Sequence, residues 1–144
     1  MIKKAKEWCP MIRLIYGKKG SGKSKKLLDM ANAEVSNATG NLVYLDDDNR
    51  CMYDLQHEIR FINTSDYGID NIDKLYGFVC GILSGDFDIS SIYIDGLKKM
   101  AQGHDQGVEK LLKRFDGLFT EISAYIVISG SEEPSEFLKK YIEE

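Results

Sequence analysis

Hydrophobic positions along this chain alternate between two rhythms. Short, mostly apolar runs read as strands buried on both faces: Met11-Ile12-Arg13-Leu14-Ile15-Tyr16, Asn41-Leu42-Val43-Tyr44-Leu45-Asp46, Ile89 to Asp95, and Tyr125-Ile126-Val127-Ile128-Ser129. Glu58 to Asn63 is a shorter candidate. Between them, apolar residues recur at helical spacing. Leu27, Leu28, Ala31 and Val35 predict a helix over 23–36, ended by the Asn/Thr/Gly cluster before Asn41. Ile72, Leu75, Val79, Ile82 and Leu83 predict one over 70–84. The cleanest stripe, Val108, Leu111, Leu112, Phe115, Leu118, Phe119 and Ile122, predicts one over 108–122, and Pro134 to Ile142 a closing helix. Alternating strands and helices imply an α/β fold of three layers, with a mainly parallel sheet of about four to five strands covered on both faces. Residues 1–10 stand apart from this pattern, because Pro10 interrupts any ladder running into the first strand. They are expected to form an extension, with Trp8 able to pack on a single domain spanning 11–144.

Chemistry enters where the first strand meets the first helix. Gly17-Lys18-Lys19-Gly20-Ser21-Gly22-Lys23-Ser24 is a G-x-x-x-x-G-K-S loop in strand–loop–helix context. Its glycines let the backbone curl with N–H groups facing inward, and the following helix N-terminus adds partial positive charge. Such a loop cradles the phosphates of a nucleoside triphosphate. Lys23 is expected to reach the β- and γ-phosphates and Ser24 to ligate Mg²⁺. A second signal is Asp95, at the carboxyl end of an apolar strand, where open α/β sheets place their ligands. It reads as the acid that holds Mg²⁺ opposite Ser24. The residue after it, where many such sites carry a water-activating glutamate, is Gly96. The acid is then expected from Leu45-Asp46-Asp47-Asp48-Asn49-Arg50, with one of Asp46 to Asp48 orienting water; its competing reading is a solvated turn. Ser129 or Ser131 could hydrogen-bond the γ-phosphate or the water, and segment 46–53 is a candidate switch.

Composition narrows the partners. With 144 residues, 43% of them hydrophobic, the chain is long enough for one buried sheet and too short for a second sizeable domain. A formal charge of −4 gives no pull toward nucleic acid or anionic membrane. Cys9, Cys51 and Cys80 fall in no metal-ligand spacing and read as reduced thiols. There is no long apolar run and no signal peptide, so the expected location is the cytoplasm. No Asn-Lys-x-Asp or Thr-Lys-x-Asp tetrad is present, which favours ATP over GTP.

From Met11 to Ile142 the chain resembles the core of a P-loop NTPase, closer to the RecA-like, additional-strand branch than to the GTPases. It is also similar to short bacterial ATP-binding proteins labelled twitching-motility ATPases, although it lacks the acidic and histidine boxes of pilus-retraction enzymes and has only His57 and His104. Two narrower likenesses rest on single motifs. The Gly17–Ser24 loop resembles that of partition and cell-division ATPases, which implies that Lys18 reaches a partner's phosphates across an ATP-bound dimer, with Leu45-Asp46-Asp47-Asp48 matching their Asp-x-Asp switch. That family carries glycine where this chain has Lys19, and prolines after its strand aspartate that are absent here. The order Gly-Lys-Ser, Asp48-Asn49-Arg50, Asp95 is similar to thymidine kinase, without its catalytic glutamate or zinc cysteines. The resulting expectation is a small cytoplasmic protein that hydrolyses Mg-ATP slowly as a nucleotide switch read by a protein partner or a second copy. A nucleoside-type kinase and a non-hydrolysing nucleotide-binding module are the alternatives.

Overall fold

The computed structural model describes residues 11–18, 20–97, 105–130 and 133–142; the extension 1–10 lies outside them. Five strands, β1 (Ile12–Gly17), β2 (Asn41–Asp46), β3 (Ile59–Asn63), β4 (Ile89–Ile94) and β5 (Ser123–Ser129), form one sheet in the order β1-β5-β4-β2-β3. Every pairing is parallel. Among the described residues the α-helices with defined bounds are α1 (Lys23–Glu34), α2 (Ile72–Gly85), α3 (Asp105–Phe115) and α4 (Glu136–Lys139). The three-layer α/β fold expected from the alternation is therefore present, with five strands.

Period-two alternation sorts the strand residues onto two faces. Leu14, Val43, Leu45, Ile92, Ile94, Ala124 and Ile126 form one buried layer with Leu75 and Val79 of α2 and Val108, Leu111, Leu112 and Phe115 of α3. On the other face Leu42, Tyr44, Tyr93 and Val127 pack under Leu27 and Ala31 of α1. Register aligns Tyr125, Tyr93, Tyr44 and Phe61 in one row across four strands. Successive ring centroids are 5.0, 6.1 and 6.2 Å apart, with rings tilted by no more than 27°. Such cross-strand aromatic contacts add to the burial energy and lock the register.

Two helices are shorter than their stripes predict. α3 stops at Phe115, because the chain unwinds at Asp116-Gly117 to turn back into β5. Phe119 nevertheless packs edge-on against Phe115 at 5.1 Å, so the apolar spacing continues into a turn that lines the same core. The closing helix spans only Glu136–Lys139. Beyond it the amide of Leu14 donates to Tyr141 O at 2.9 Å, and Ile142 bridges Leu14 in parallel. The outer edge of β1 offers unmade ladder bonds, and these compete successfully with another helical turn. Ser135 sets up the turn: its Oγ accepts from the Leu138 amide and donates to Glu109 Oε2 at 2.9 Å. Ser135→Ala is expected to cost about 1 kcal/mol and to lower the melting temperature by about 2–4 °C, measurable by thermal denaturation.

Candidate phosphate and cation site

The C-terminal ends of parallel strands gather the candidate residues along one edge of the sheet. β1 ends at Gly17, whose carbonyl accepts from the Gly130 amide at 3.0 Å, fastening the start of the loop to the end of β5. Gly20 and Gly22 then adopt φ of 83° and 85°, and Gly22 caps α1. The loop closes on one carbonyl. Lys18 O accepts from the Ser21 amide at 3.1 Å, from Ser21 Oγ at 2.6 Å and from Lys23 Nζ. Lys23 is only 7% exposed, and its ammonium donates to two oxygens of its own loop, Lys18 O and Ser21 Oγ. Lys18 is exposed, as is Ser24 on the first turn of α1.

The start of α1 is electrostatically one-sided. Among the described residues no side chain caps Gly22, no acid lies in the first turn, and Lys23, Lys25 and Lys26 add positive charge to the positive end of the helix dipole. Lys25 pairs with Asp29 one turn on at 3.1 Å. A helix start with open amides and three lysines is suited to a bound anion such as a phosphate.

A cluster of acids gathers at the C-terminal ends of two other strands, β2 and β4. The Asp95 amide donates to Leu45 O at 2.8 Å, which extends the β2–β4 pairing past the last residue of β4 and anchors Asp95 at the sheet edge. Asp95 is 7% exposed; its Oδ1 accepts from the Gly96 amide, whereas its buried Oδ2 has no hydrogen-bond partner among the described residues. A carboxylate oxygen left unmatched at such depth is costly unless a cation or donor joins it. Asp46, the last residue of β2, is 2% exposed. Burial, reinforced by the negative charge of Asp95, pushes its carboxyl up to about 7. The nearby Cys51 thiol is pushed up to about 11, chiefly by burial, which leaves it protonated and unreactive.

The rest of the acidic segment is tied to β3. Thr64 Oγ1 donates to Asp46 O at 3.1 Å, and the Ser65 hydroxyl lies 2.6 Å from Asn63 Oδ1 and 3.1 Å from Asp47 O. Asn63 Nδ2 donates to Asn49 Oδ1 at 3.1 Å, while its own Oδ1 accepts from the Ser65 amide. Asp48 accepts from the Arg50 amide and pairs with Arg50 Nε at 2.8 Å. Carboxylate oxygens of Asp46, Asp47 and Asp48 lie within 4.8 Å of one another, close enough to share one cation. Sequence reading did not single out Asn63, Thr64 and Ser65. Their signal was a polar triplet directly after a short strand, a pattern that ordinary turns share.

The structure thus brings Asp46, Asp47, Asp48 and Asp95 together and folds Lys18, Ser21 and Lys23 into one loop. Ser129 ends β5 in register with Gly17. Lys19 and Ser131 lie outside the described residues. Among the described residues no helix is long and apolar enough to cross a membrane. Comparison with known proteins finds no family model and no curated protein that matches the chain.

Proposed function

We propose that this protein binds Mg-ATP in the Gly17–Ser24 loop and hydrolyses it slowly in the cytoplasm, its bound state being read by a protein partner or a second copy. The reading rests above all on one pairing: a loop folded around a buried lysine at one sheet end, and a buried carboxylate with an unmatched oxygen at another end of the same edge. Lys23 and the loop amides would neutralise the phosphates, while Ser24 and Asp95 would hold Mg²⁺. The strand order supports the additional-strand branch of P-loop NTPases, since β5 lies between the loop strand β1 and the Asp95 strand β4. The kinase alternative draws less support, because Asp48 and Arg50, which would meet an acceptor, are paired with each other.

ATP binding and phosphate release, measured with Mg²⁺ and with EDTA over a range of protein concentrations, test this reading. Release that requires Mg²⁺ is expected. A specific activity that rises with concentration would point to a dimer in which the exposed Lys18 acts in trans, and a Lys18→Ala variant should then lose that rise. Binding without release would favour the non-hydrolysing module.

A further inference from the structure

We propose that Asp46 and Asp95 together hold a hard divalent cation, Mg²⁺, Ca²⁺ or Mn²⁺, in the absence of any nucleotide. Register brings the two acids together. Tyr44 and Tyr93 are paired across β2 and β4, and both pack on the α1 side of the sheet. Two residues further along each strand direction, on the same face by the strand period, stand Asp46 and Asp95. The bond from the Asp95 amide to Leu45 O keeps them side by side past the end of β4, at the spacing of about 4.8 Å that separates neighbouring strands. The Mg-ATP site proposed above shares Asp95 but anchors its ion on Ser24 and the phosphates. Here Asp46 takes the place of the nucleotide, and the site stands whether or not ATP binds.

Depth and charge set this pair apart from a solvated acidic turn. Asp46 and Asp95 are 2% and 7% exposed, and among the described residues no ion pair reaches either of them. Asp46 accepts from the Asp47 amide at 2.7 Å and from Cys51 Sγ at 3.6 Å, and Asp95 Oδ1 accepts from the Gly96 amide. Asp95 Oδ2, buried and without a hydrogen-bond partner among the described residues, is the open ligand. Two carboxylates at such depth stay together by sharing a proton or by holding a cation. The surroundings favour the cation. Oxygens of Asp46, Asp47 and Asp48 lie within 4.8 Å of one another, and a Cβ on Gly96 would lie 2.8 Å from Asp47 Cγ, so a further carboxylate stands against the residue that follows Asp95. One proton offsets a single charge of this group, whereas a divalent ion offsets two. Every anionic donor is a carboxylate oxygen, the ligand type that suits Mg²⁺, Ca²⁺ and Mn²⁺. Such ions are held by one or two carboxylates plus waters, which the half-buried rim at Asp47 and Asp48 admits.

The test titrates MgCl₂, CaCl₂ and MnCl₂, each alone, into nucleotide-free protein by calorimetry. Saturable binding of one ion per chain at about millimolar concentration or below is expected for at least one of the three. Asp46→Asn and Asp95→Asn should each weaken it by at least about tenfold, because even the outer-shell partners of a metal contribute that much. Asp66→Asn, which removes an exposed acid after β3, should leave it unchanged. A second measurement needs no variant: Mn²⁺ should broaden the backbone amide signals of Asp46, Asp95 and Gly96 before those of Asn41 and Ile89, at the far ends of the same strands. No saturable binding by the unmodified protein, undiminished affinity in both Asn variants, or broadening centred away from Asp46 and Asp95 overturns the proposal. Cation binding without Mg-ATP binding supports this site and removes the phosphate-loop reading; Mg-ATP binding without nucleotide-free cation binding removes this site alone.

Discussion

On the proposed function, Lys23→Ala is expected to remove the thermal stabilisation expected from Mg-ATP and to reduce the expected phosphate release by at least about 100-fold, the scale set by losing one preorganised charge at a reacting phosphate. The geometry explains why so much depends on a single side chain. The ammonium lies inside the loop, donating to Lys18 O and Ser21 Oγ, so its position is set by the same backbone curl that presents the amides. Nucleotide at about 100 times its dissociation constant should stabilise the unmodified protein by about 2.7 kcal/mol. In the variant that increment should vanish. Thermal scans with and without Mg-ATP measure both quantities, and the ligand-free scan separates loss of the site from loss of the fold. A full nucleotide-induced shift in the variant would remove Lys23 from the site and the site from the loop.

The second large effect is on stability against pH, and it comes from Asp46. Its carboxyl, at 3.8 in the unfolded chain, is pushed up to about 7 by burial and by Asp95, with Asp48 adding repulsion and the Asp47 amide partly offsetting it. A raised acid favours the folded state while protonated. Its contribution is complete below about pH 4 and is lost as pH rises through about 7. At about 1.4 kcal/mol per tenfold change in proton affinity, the full swing is up to about 4 kcal/mol. The ligand-free protein is therefore expected to be less stable at pH 8 than at pH 5. Asp46→Asn keeps an oxygen for the Asp47 amide and removes the charge, so it should flatten this dependence and raise stability at pH 8. Chemical denaturation at the two pH values checks it, and an Asp46→Asn protein with the same pH slope as its parent would refute it. Mg²⁺ bound among these carboxylates should likewise flatten the slope, because a cation offsets the repulsion that a proton otherwise relieves.

Most of the sheet could be read from periodicity alone. β2 falls on Asn41–Asp46 as expected, and β4 and β5 differ from expectation only at their ends. Buried parallel strands announce themselves as apolar runs, because both of their faces are covered. The stretches that misled were those where apolar spacing served a purpose other than a helix. Phe119 continues the α3 stripe into a turn, and Tyr141 and Ile142 leave α4 to pair with β1. The placement of the Gly17–Ser24 loop was legible because it is local, eight consecutive residues where a strand gives way to a helix. The acid site was only half legible, since its parts come from three strands. Nothing in Gly96 or in Asp47 separately tells that one stands against the other. That contact exists only once β2 and β4 lie side by side.

Strand order also dictates a timetable during synthesis. β2, β3 and β4 are neighbours both in sequence and in the sheet, so they can assemble as soon as they leave the ribosome. β1 emerges first, yet its partners are β5 and the Leu14–Ile142 bridge, at the opposite end of the described chain. Until that far segment is made, Ile12, Leu14 and Ile15 have no ladder to join, and closing so long a loop is the slow, high-contact-order step. The Gly17–Ser24 loop, fastened through Gly17 and Gly130, is thus among the last parts of the molecule to take shape. A nascent chain halted before β5 would carry an exposed β1 and be a natural client for chaperones.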